Sequence, residues 1–395
     1  MRHSKTLLGL FASALLLPGA LQAATVKVGI ILPFSGPNAQ LGQQLDRGLK
    51  LYQKLHPKVP GGHKIKLIRR DSTGPKPDIA KRLALELITR EKIDILGGII
   101  YSNNAFAIMS LCKKAKIPVL VMNAGTASVT TRCKYAARVS FTMWQSAYPL
   151  GTHAYNKMGI RTAAVAYANY APGKDSINAF SRSFKAAGGK VIASIPFPFP
   201  KIPDFTPFLQ RVKDAKPDAL YVFIPAGKWA TGVMKTFGDL GMKKAGIKLI
   251  GPGDITQDTE LPNMGKVPVG VVTMHHYSAA GDRPANKAFV KAWKAEYGAS
   301  TSPDFVGVQG YDGMAALYHA IGKLDGKITA AGAIKAWKGW KFNSPRGPMM
   351  IDPKTRDVVN NQYLRRVDLV NGKLQNTEIS TIKMVKDPWK ILNAK

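Results

Sequence analysis

The chain has 395 residues, of which 45% are hydrophobic and 21% charged, and it contains two cysteines. This length suits two domains of ordinary size, each with its own core. The 57 Lys and Arg against 24 Asp and Glu give a formal net charge of +33. These basic residues are spread along the chain, without a basic arm or nucleic-acid-binding motif, so we interpret the charge as solvated surface and expect no nucleic-acid partner.

Residues 1–24 have the pattern of an export signal peptide. Arg2 and Lys5 give a basic start, an apolar stretch follows, and Leu21 to Ala23 is a suitable cleavage site. The apolar stretch is too short to span a bilayer, and no later segment is long and apolar enough to do so. We therefore expect an exported protein that is cleaved near Ala23.

The two cysteines, Cys112 and Cys133, are 21 positions apart. In an oxidising compartment they can form a disulfide, which would contribute roughly 3 kcal/mol in the chain-entropy model. A thiolate metal site would need further ligands at suitable spacing, and the sequence does not offer them. We interpret the pair as a structural disulfide and expect no metal site.

Strands and helices alternate along the first part of the chain. Short apolar runs predict strands, and apolar residues at helical spacing predict the helices between them. The predicted strands are at residues 26–32, 65–68, 93–100 and 118–122, and the predicted helices are at residues 42–54, 78–87 and 105–116. This alternation is typical of a parallel sheet covered by helices on both faces.

The alternation starts again after Trp144, so the chain contains two sets of strands and helices of similar size. Predicted strands are at 162–167, 191–195, 219–224, 247–250 and 269–273, and predicted helices at 175–187, 205–215, 228–241, 284–297 and 311–324. The last of these helices is expected to begin at Tyr311. The tail after Arg346 alternates like a β-ribbon. Two α/β lobes with a cleft between them follow from this pattern.

Two polar loops follow buried strands in the first set: Tyr101 to Asn104, and Asn123 to Thr126. In open α/β sheets, ligands bind outside the carboxyl ends of the parallel strands. The hydroxyls of Ser102 and Thr126, with accessible backbone N–H groups, suit an anion such as a carboxylate. The alternative is that these hydroxyls only cap helices. Two such loops at one sheet edge favour a binding site.

The adjacent histidines His275 and His276 suggest a metal site at first sight. Neighbouring side chains in an extended segment point to opposite faces, so we expect packing at a hinge or pocket rim instead. The sequence contains no nucleophile elbow, P-loop, zinc motif or GxGxxG fingerprint. We therefore expect no enzyme activity, no catalytic residues and no cofactor.

Three stretches are similar to those of one known family: VKVGIILPFSGPNAQLGQQ, NYAPGKDSINAF and GVVTMHHYSAAGDRPANKAFVKAW. On these motifs the chain resembles the type I periplasmic solute-binding proteins of the branched-chain amino acid (leucine/isoleucine/valine) transporters. The resemblance implies an α/β fold of two doubly wound parallel-sheet lobes that close on a ligand. It also implies three crossover strands, near Phe141, near Met274 and after Trp340.

The resemblance divides the mature chain between two lobes, the first at residues 25–141 plus 275–340 and the second at residues 142–274 plus 341–395. It implies a periplasmic protein, expected to be a monomer, that delivers a small carboxylate to a membrane permease driven by ATPase subunits. Lobes of this type also serve in ligand sensors that report to a receptor or regulator, so that reading stays open.

Ligand contacts follow from the resemblance position by position. Ser102, next to Tyr101, is expected to donate to the carboxylate, and a second carboxylate loop falls on residues 124–126. Tyr170 is expected to close over the ligand from the second lobe, and Leu41 to form a pocket wall. The complete set of expected contacts is Leu41, Tyr101, Ser102, Ala124, Gly125, Thr126, Tyr170, Asp254 and Tyr277.

The sequence departs from the amino-acid binders of the family at one position. In those proteins an acidic residue follows Gly-Pro in a loop of the second lobe and holds the ligand's ammonium group. Here that position is Gly253, and Asp254 stands one residue later, either as a ligand partner or as a turn cap. A buried ammonium without a partner costs several kcal/mol. An aromatic or aliphatic acid without an amine is therefore a candidate ligand beside an amino acid.

Overall fold

The computed structural model describes residues 23–394. The predicted signal peptide lies almost entirely in residues 1–22, outside this range. Within residues 23–394, each helix is too short or too polar to cross a membrane.

The first lobe is built on a five-stranded parallel sheet in the order β2-β1-β3-β4-β5. Its strands are β1 (Thr25–Leu32), β2 (Lys64–Asp71), β3 (Ile95–Gly98), β4 (Val119–Val121) and β5 (Ala136–Arg138), and its first helices are α1 (Ala39–Leu55), α2 (Pro77–Thr89) and α3 (Ser102–Ala115). Parallel neighbours need crossover connections, which these helices supply.

The second lobe repeats this winding after α4 (Met143–Asn156), with parallel strands in the order β7-β6-β8-β9-β10. The strands are β6 (Thr162–Ala168), β7 (Lys190–Phe197), β8 (Ala219–Phe223), β9 (Lys248–Pro252) and β10 (Val272–His275), and the helices are α5 (Ala171–Ala186), α6 (Thr206–Asp214) and α7 (Lys228–Asp239).

The last part of the chain returns to the first lobe and then extends the second sheet. Its elements are α8 (Pro284–Tyr297), α9 (Phe305–Lys323), α10 (Ala330–Trp337), β11 (Lys341–Ser344), β12 (Gly347–Ile351), β13 (Val358–Val370), β14 (Lys373–Val385) and α11 (Pro388–Leu392). Strand β13 pairs antiparallel with β10, β12 and β14. The chain thus passes between the lobes after β5, after β10 and after α10.

Both faces of each sheet are covered, as the predicted alternation requires. In the first lobe, Val28 and Ile30 pack with α1 and α9 on one face, while Ile31 packs with α2 and α3 on the other. In the second lobe, Val222 packs with α6 and α7, and Tyr221 with α4 and α5. The prediction of two doubly wound α/β lobes is confirmed.

The lobe boundaries stay a prediction, because β11 and β12 have mixed membership. They belong to the second sheet through β13, yet Met349 and Ile351 lie in the hydrophobic core of the first lobe.

Several helix starts differ from the sequence prediction. Helix α9 begins at Phe305, so the expectation that it opens at Tyr311 is wrong. Asp304 caps it: its Oδ1 accepts the N–H groups of Val306 and Gly307, each at 2.9 Å. Asp304 satisfies two of the free N–H groups of the first turn, and Tyr311 lies inside the helix.

Helix α4 was not predicted from the sequence, although a start signal was present. Thr142 and Gln145 form a capping box, in which the Thr142 N–H donates to Gln145 Oε1 at 2.8 Å. Pro149 lies inside this helix, and its presence weakens any helix prediction from propensity.

Cys112 at the end of α3 and Cys133 before β5 form a disulfide, with their Cα atoms 6.4 Å apart. We expect the Cys112→Ser, Cys133→Ser double variant to lose about 3 kcal/mol of unfolding free energy, because a bridge over a loop of this length restricts the unfolded chain. Urea unfolding measures the loss. As the control, reductant should destabilise the wild type but not the double variant. Equal stability of the oxidised wild type and the variant would contradict the prediction.

Candidate functional site

The predicted ligand residues lie where the two sheets change winding direction. The strand order reverses between β1 and β3 in the first sheet and between β6 and β8 in the second, which is where α/β proteins bind ligands. Ser102 follows β3 and Thr126 follows β4, while Tyr170 follows β6 and Asp254 follows β9. The four side chains therefore belong to the two carboxyl edges.

The loop after β3 has an unusual backbone that aims Tyr101 and Ser102. Gly98 and Ile99 have φ angles of 91° and 68°, and the left-handed region is rare for a β-branched residue. The Ile99 N–H donates to the Ile31 carbonyl at 2.9 Å, and the Ile99 carbonyl accepts the Ala124 N–H at 3.1 Å. These two bonds hold the strained turn in place.

Ser102 and the loop at residues 124–126 meet directly. The Thr126 N–H donates to Ser102 Oγ at 3.2 Å, so the Ser102 hydroxyl proton remains able to donate elsewhere. Both side chains are buried, and Thr126 Oγ1 has no partner among the described residues. Buried hydroxyls of this kind are normally satisfied. Ser102, Thr126 and the backbone between Ala124 and Thr126 therefore form a polar corner of anion-binding character.

Aromatic side chains lie next to this corner. The Tyr170 ring stacks on Phe199, with centroids 4.0 Å apart and a 10° interplanar angle. Phe141 and Phe223 belong to a small apolar cluster that packs against Tyr170. A Cβ atom at Gly125 would lie 3.2 Å from Phe141 Cζ, so the glycine lets the ring approach the polar loop. These flat surfaces suit an aromatic ring.

Three further residues carry buried polar atoms that lack a partner within residues 23–394. The hydroxyl of Tyr101, Oδ2 of Asp254 and both ring nitrogens of His275 are buried without a partner among the described residues. Burial raises the pKa of Tyr170 well above its usual value, and the charges of Asp254 and Tyr101 add to the shift. Tyr101 belongs to the first lobe, whereas Tyr170 and Asp254 belong to the second.

The two histidines lie side by side, contrary to the expectation of opposite faces. Their ring centroids are 4.3 Å apart, because β10 ends at His275 and strand alternation stops there. Burial lowers the pKa of His275 to about 4, partly offset by Asp254, whose Oδ2 is 3.7 Å from His275 Nε2. His275 is thus neutral and lies within 4.6 Å, between centroids, of the Phe305 ring.

Gly253, the position of the acid in amino-acid binders, has no room for any side chain. A Cβ atom there would lie 2.6 Å from both Cβ and Cγ of His275 and would also meet the Arg365 guanidinium. Arg365 is fully buried and donates to Thr273 Oγ1 (3.1 Å) and to the Tyr277 carbonyl (2.6 Å). The Arg365 guanidinium and the His275 ring therefore fill the space that a side chain at position 253 would need.

Tyr277 and Leu41, two further predicted ligand contacts, are buried in the hydrophobic core of the first lobe. Tyr277 is fully buried next to Phe289, with its ring centroid 6.5 Å away, and its carbonyl accepts from Arg365. Leu41 is buried on α1 in the same core cluster as Tyr101. The ligand contacts expected of Tyr277 and Leu41 stay predictions.

The lobes also touch directly near the polar corner. The Ala127 N–H donates to Asp175 Oδ2 of α5 at 2.8 Å, and Gln40 Nε2 donates to Thr259 Oγ1 at 2.5 Å. The sequence analysis assigned no role at the site to Asp175, Phe141, Phe223 or Arg365. Of these residues, only Asp175 could have been singled out from the sequence, because it lies in NYAPGKDSINAF, one of the stretches that resemble the family.

Arg346 lies in the third crossing between the lobes and connects it to the other two. Its Nη1 donates to the Ser140 carbonyl of the first crossing and to His276 Nδ1, at 3.2 Å, of the second. Its Nε donates to Asp312 Oδ2 of α9 at 2.7 Å. Burial and the neighbouring cations lower the pKa of His276 well below its usual value, so the ring is neutral and Nδ1 can accept.

Within residues 23–394, no three His, Cys, Asp or Glu side chains lie together in a way that could hold a metal ion.

Comparison with known proteins gives a consistent set of relatives. A periplasmic binding protein family model matches residues 25–373. A Brucella melitensis protein named Leu/Ile/Val-binding protein homolog 6 is 38% identical over 370 residues, which is 93% of this chain and 94% of that protein.

Two solved structures from Rhodopseudomonas palustris are similar in fold and sequence. The solute-binding protein of an ABC transporter from strain BisB5, in complex with 3,4-dihydroxybenzoic acid, is 45% identical with a TM-score of 0.89. The match covers 93% of this chain and 99% of the R. palustris chain. A second such protein, in complex with 4-hydroxybenzoate, is 37% identical with a TM-score of 0.90, covering 93% and 100%.

The buried His275 predicts a pH-dependent stability. Between its folded pKa of about 4 and the usual 6.5, the unfolded chain binds a proton that the folded protein does not. Protonation of His275 in the unfolded chain therefore lowers the free energy of unfolding as pH falls below 6.5, by about 2 kcal/mol at pH 5. We expect the stability difference between pH 7.5 and pH 5 to be smaller by that amount in His275→Asn, measured by urea unfolding.

His56→Asn is the control for this prediction, because the His56 side chain is exposed, and it should keep the wild-type pH dependence. The prediction is wrong if His275→Asn and the wild type lose the same free energy of unfolding between the two pH values.

Proposed function

Because the chain belongs to the periplasmic binding protein family, we propose that it is the solute-binding subunit of an ABC importer for a hydroxylated aromatic carboxylate. The proposal includes a location in the periplasm and delivery of the ligand to permease and ATPase subunits. One observation carries the choice of ligand: the Gly253 position excludes an acidic side chain and faces the buried Arg365. A ligand ammonium would therefore lack an acidic partner from this position, and a buried ammonium without a partner costs several kcal/mol.

The proposed carboxylate end of the site is the corner formed by Ser102, Gly125 and Thr126. Two hydroxyls and a backbone N–H can reach the two oxygens of one carboxylate, and the start of α3 adds the positive end of its dipole. Hydrogen bonds to a charged acceptor are stronger than neutral ones.

The proposed ring slot lies between Tyr170 and Phe141. A benzoate ring offers a flat apolar surface to both, and Gly125 lets Phe141 lie close to the carboxylate corner. Beyond the ring, the buried polar atoms of Tyr101, Asp254 and His275 suit a ring hydroxyl, which both donates and accepts. The relatives from R. palustris, in complex with dihydroxy- and hydroxybenzoate, support this assignment.

A ligand panel tests the proposal directly. We expect 4-hydroxybenzoate and 3,4-dihydroxybenzoate to stabilise the mature protein, by about 2.7 kcal/mol at 100 times the dissociation constant, because they bind only the folded state. Thermal unfolding with each ligand measures this. Leucine, isoleucine and valine serve as the matched amino-acid panel and should give no shift. A shift with the amino acids and none with the aromatic acids would refute the proposal.

Ser102 supplies the sharpest single-residue test of the carboxylate corner. We expect Ser102→Ala to weaken 4-hydroxybenzoate binding about 10- to 100-fold, because a hydrogen bond to a charged group contributes roughly 1.5–3 kcal/mol. Titration calorimetry measures the dissociation constants. Ser110→Ala is the matched control on the same helix, since Ser110 is exposed and donates only to the Ala107 carbonyl. Equal affinities of the two variants would contradict the role of Ser102.

A further inference from the structure

The loop at residues 124–127, which carries proposed carboxylate donors, is held in place by the buried guanidinium of Arg138. Arg138, the last residue of β5, is fully buried. Its Nη1 donates to the carbonyls of Ala124 (2.6 Å) and Thr126 (2.8 Å), and its Nη2 donates to the carbonyl of Ala127 (3.2 Å). Three carbonyls within four residues are therefore turned toward one side chain.

This arrangement sets the direction of the amide groups. A trans peptide is planar, with its C=O and N–H pointing in opposite directions. Since the Ala124 carbonyl faces Arg138, the N–H of Gly125 faces away from it. The peptide between Thr126 and Ala127 is oriented in the same way. Its carbonyl faces Arg138, and its N–H donates to Asp175 of the second lobe at 2.8 Å. Arg138 thus turns the Gly125 N–H toward the space between the lobes.

Arg138 is itself fixed by a chain of contacts that ends in the last helix. Its Nε donates to Asp357 Oδ1 at 2.8 Å, and both side chains are buried. Lys390 of α11 contacts the Asp357 carboxylate and the Thr130 hydroxyl. The Lys390 side chain is only 8% exposed.

The last helix is tied to the second lobe as well. Asp387 caps α11 by accepting the Trp389 N–H at 3.0 Å, and Trp389 packs against the core formed by α4 and α5. Lys390 is consequently held against Asp357 by a segment that also packs on the core of the second lobe.

We propose that Arg138, Asp357 and Lys390 are positioning residues for carboxylate recognition, so that the C-terminal helix α11 belongs to the binding apparatus. This inference rests on the proposed function. Without Lys390, Asp357 loses a buried hydrogen-bond donor and no longer fixes the guanidinium. The Gly125 amide then samples other orientations, and the ligand must order it on binding, which weakens affinity.

The test uses the full mature chain and 4-hydroxybenzoate as the probe. We expect Lys390→Met to raise the dissociation constant about fivefold, and Arg138→Lys about tenfold because an ammonium cannot reach three carbonyls in one plane. Lys390→Arg should restore most of the affinity. Lys383→Met is the matched control, since Lys383 is exposed in the same tail, and it should bind like the wild type.

A second readout separates positioning from a loss of stability. In the ligand-free protein, amide hydrogen exchange at residues 124–127 should be faster in Lys390→Met than in Lys383→Met, while exchange in β1 and β8 should be unchanged. Even if Arg138→Lys fails to fold, Lys390→Met still decides the question.

The outcomes of the two proposals are distinguishable. If the wild type does not bind 4-hydroxybenzoate, the proposed ligand class is wrong, and the exchange experiment alone decides the positioning role. If the wild type binds and Lys390→Met has both wild-type affinity and wild-type exchange at residues 124–127, the positioning inference is overturned.

Discussion

The two-lobe structure depends on a single buried cation at its hinge. Arg346 bonds the first crossing through Ser140, the second through His276, and the body of the first lobe through Asp312. A buried guanidinium is tolerated only when its donors are satisfied and its charge is paired. Asp312 supplies the charge, and the neutral ring of His276 supplies an acceptor because burial keeps it unprotonated. The relative placement of the lobes, and hence the shape of the site, follows from these bonds.

Two further buried guanidinium groups lie along the site. Arg138 lies behind the proposed carboxylate loop, and Arg365 lies beside Gly253; both are fully buried. Arg138 is paired with Asp357, whereas Arg365 is held by hydroxyls and a carbonyl. In the first lobe the cation orders backbone carbonyls beside the proposed carboxylate donors. In the second, its guanidinium fills part of the space that a side chain at position 253 would need.

The proposed ligand class follows from these differences more than from the fold. Type I lobes serve many ligands, so the architecture alone does not select one. Selection lies in one missing side chain at Gly253, in the ring surfaces of Phe141 and Tyr170, and in polar atoms left for a ring hydroxyl. Each is a local feature of a fold that the whole family shares, as expected where loops at strand ends carry the specificity.

The sequence alone determined the family, which the match over residues 25–373 confirms, the doubly wound lobes, and the anomaly at Gly253. Hydrophobic periodicity and contiguous motifs are local signals, and they are readable before folding. The tertiary structure alone decided that Arg365 and His275 fill the space beside Gly253 and that Arg138 orients residues 124–127. It also decided that Lys390 reaches Asp357. These contacts join residues far apart in the chain, and a single sequence carries no signal for such pairings.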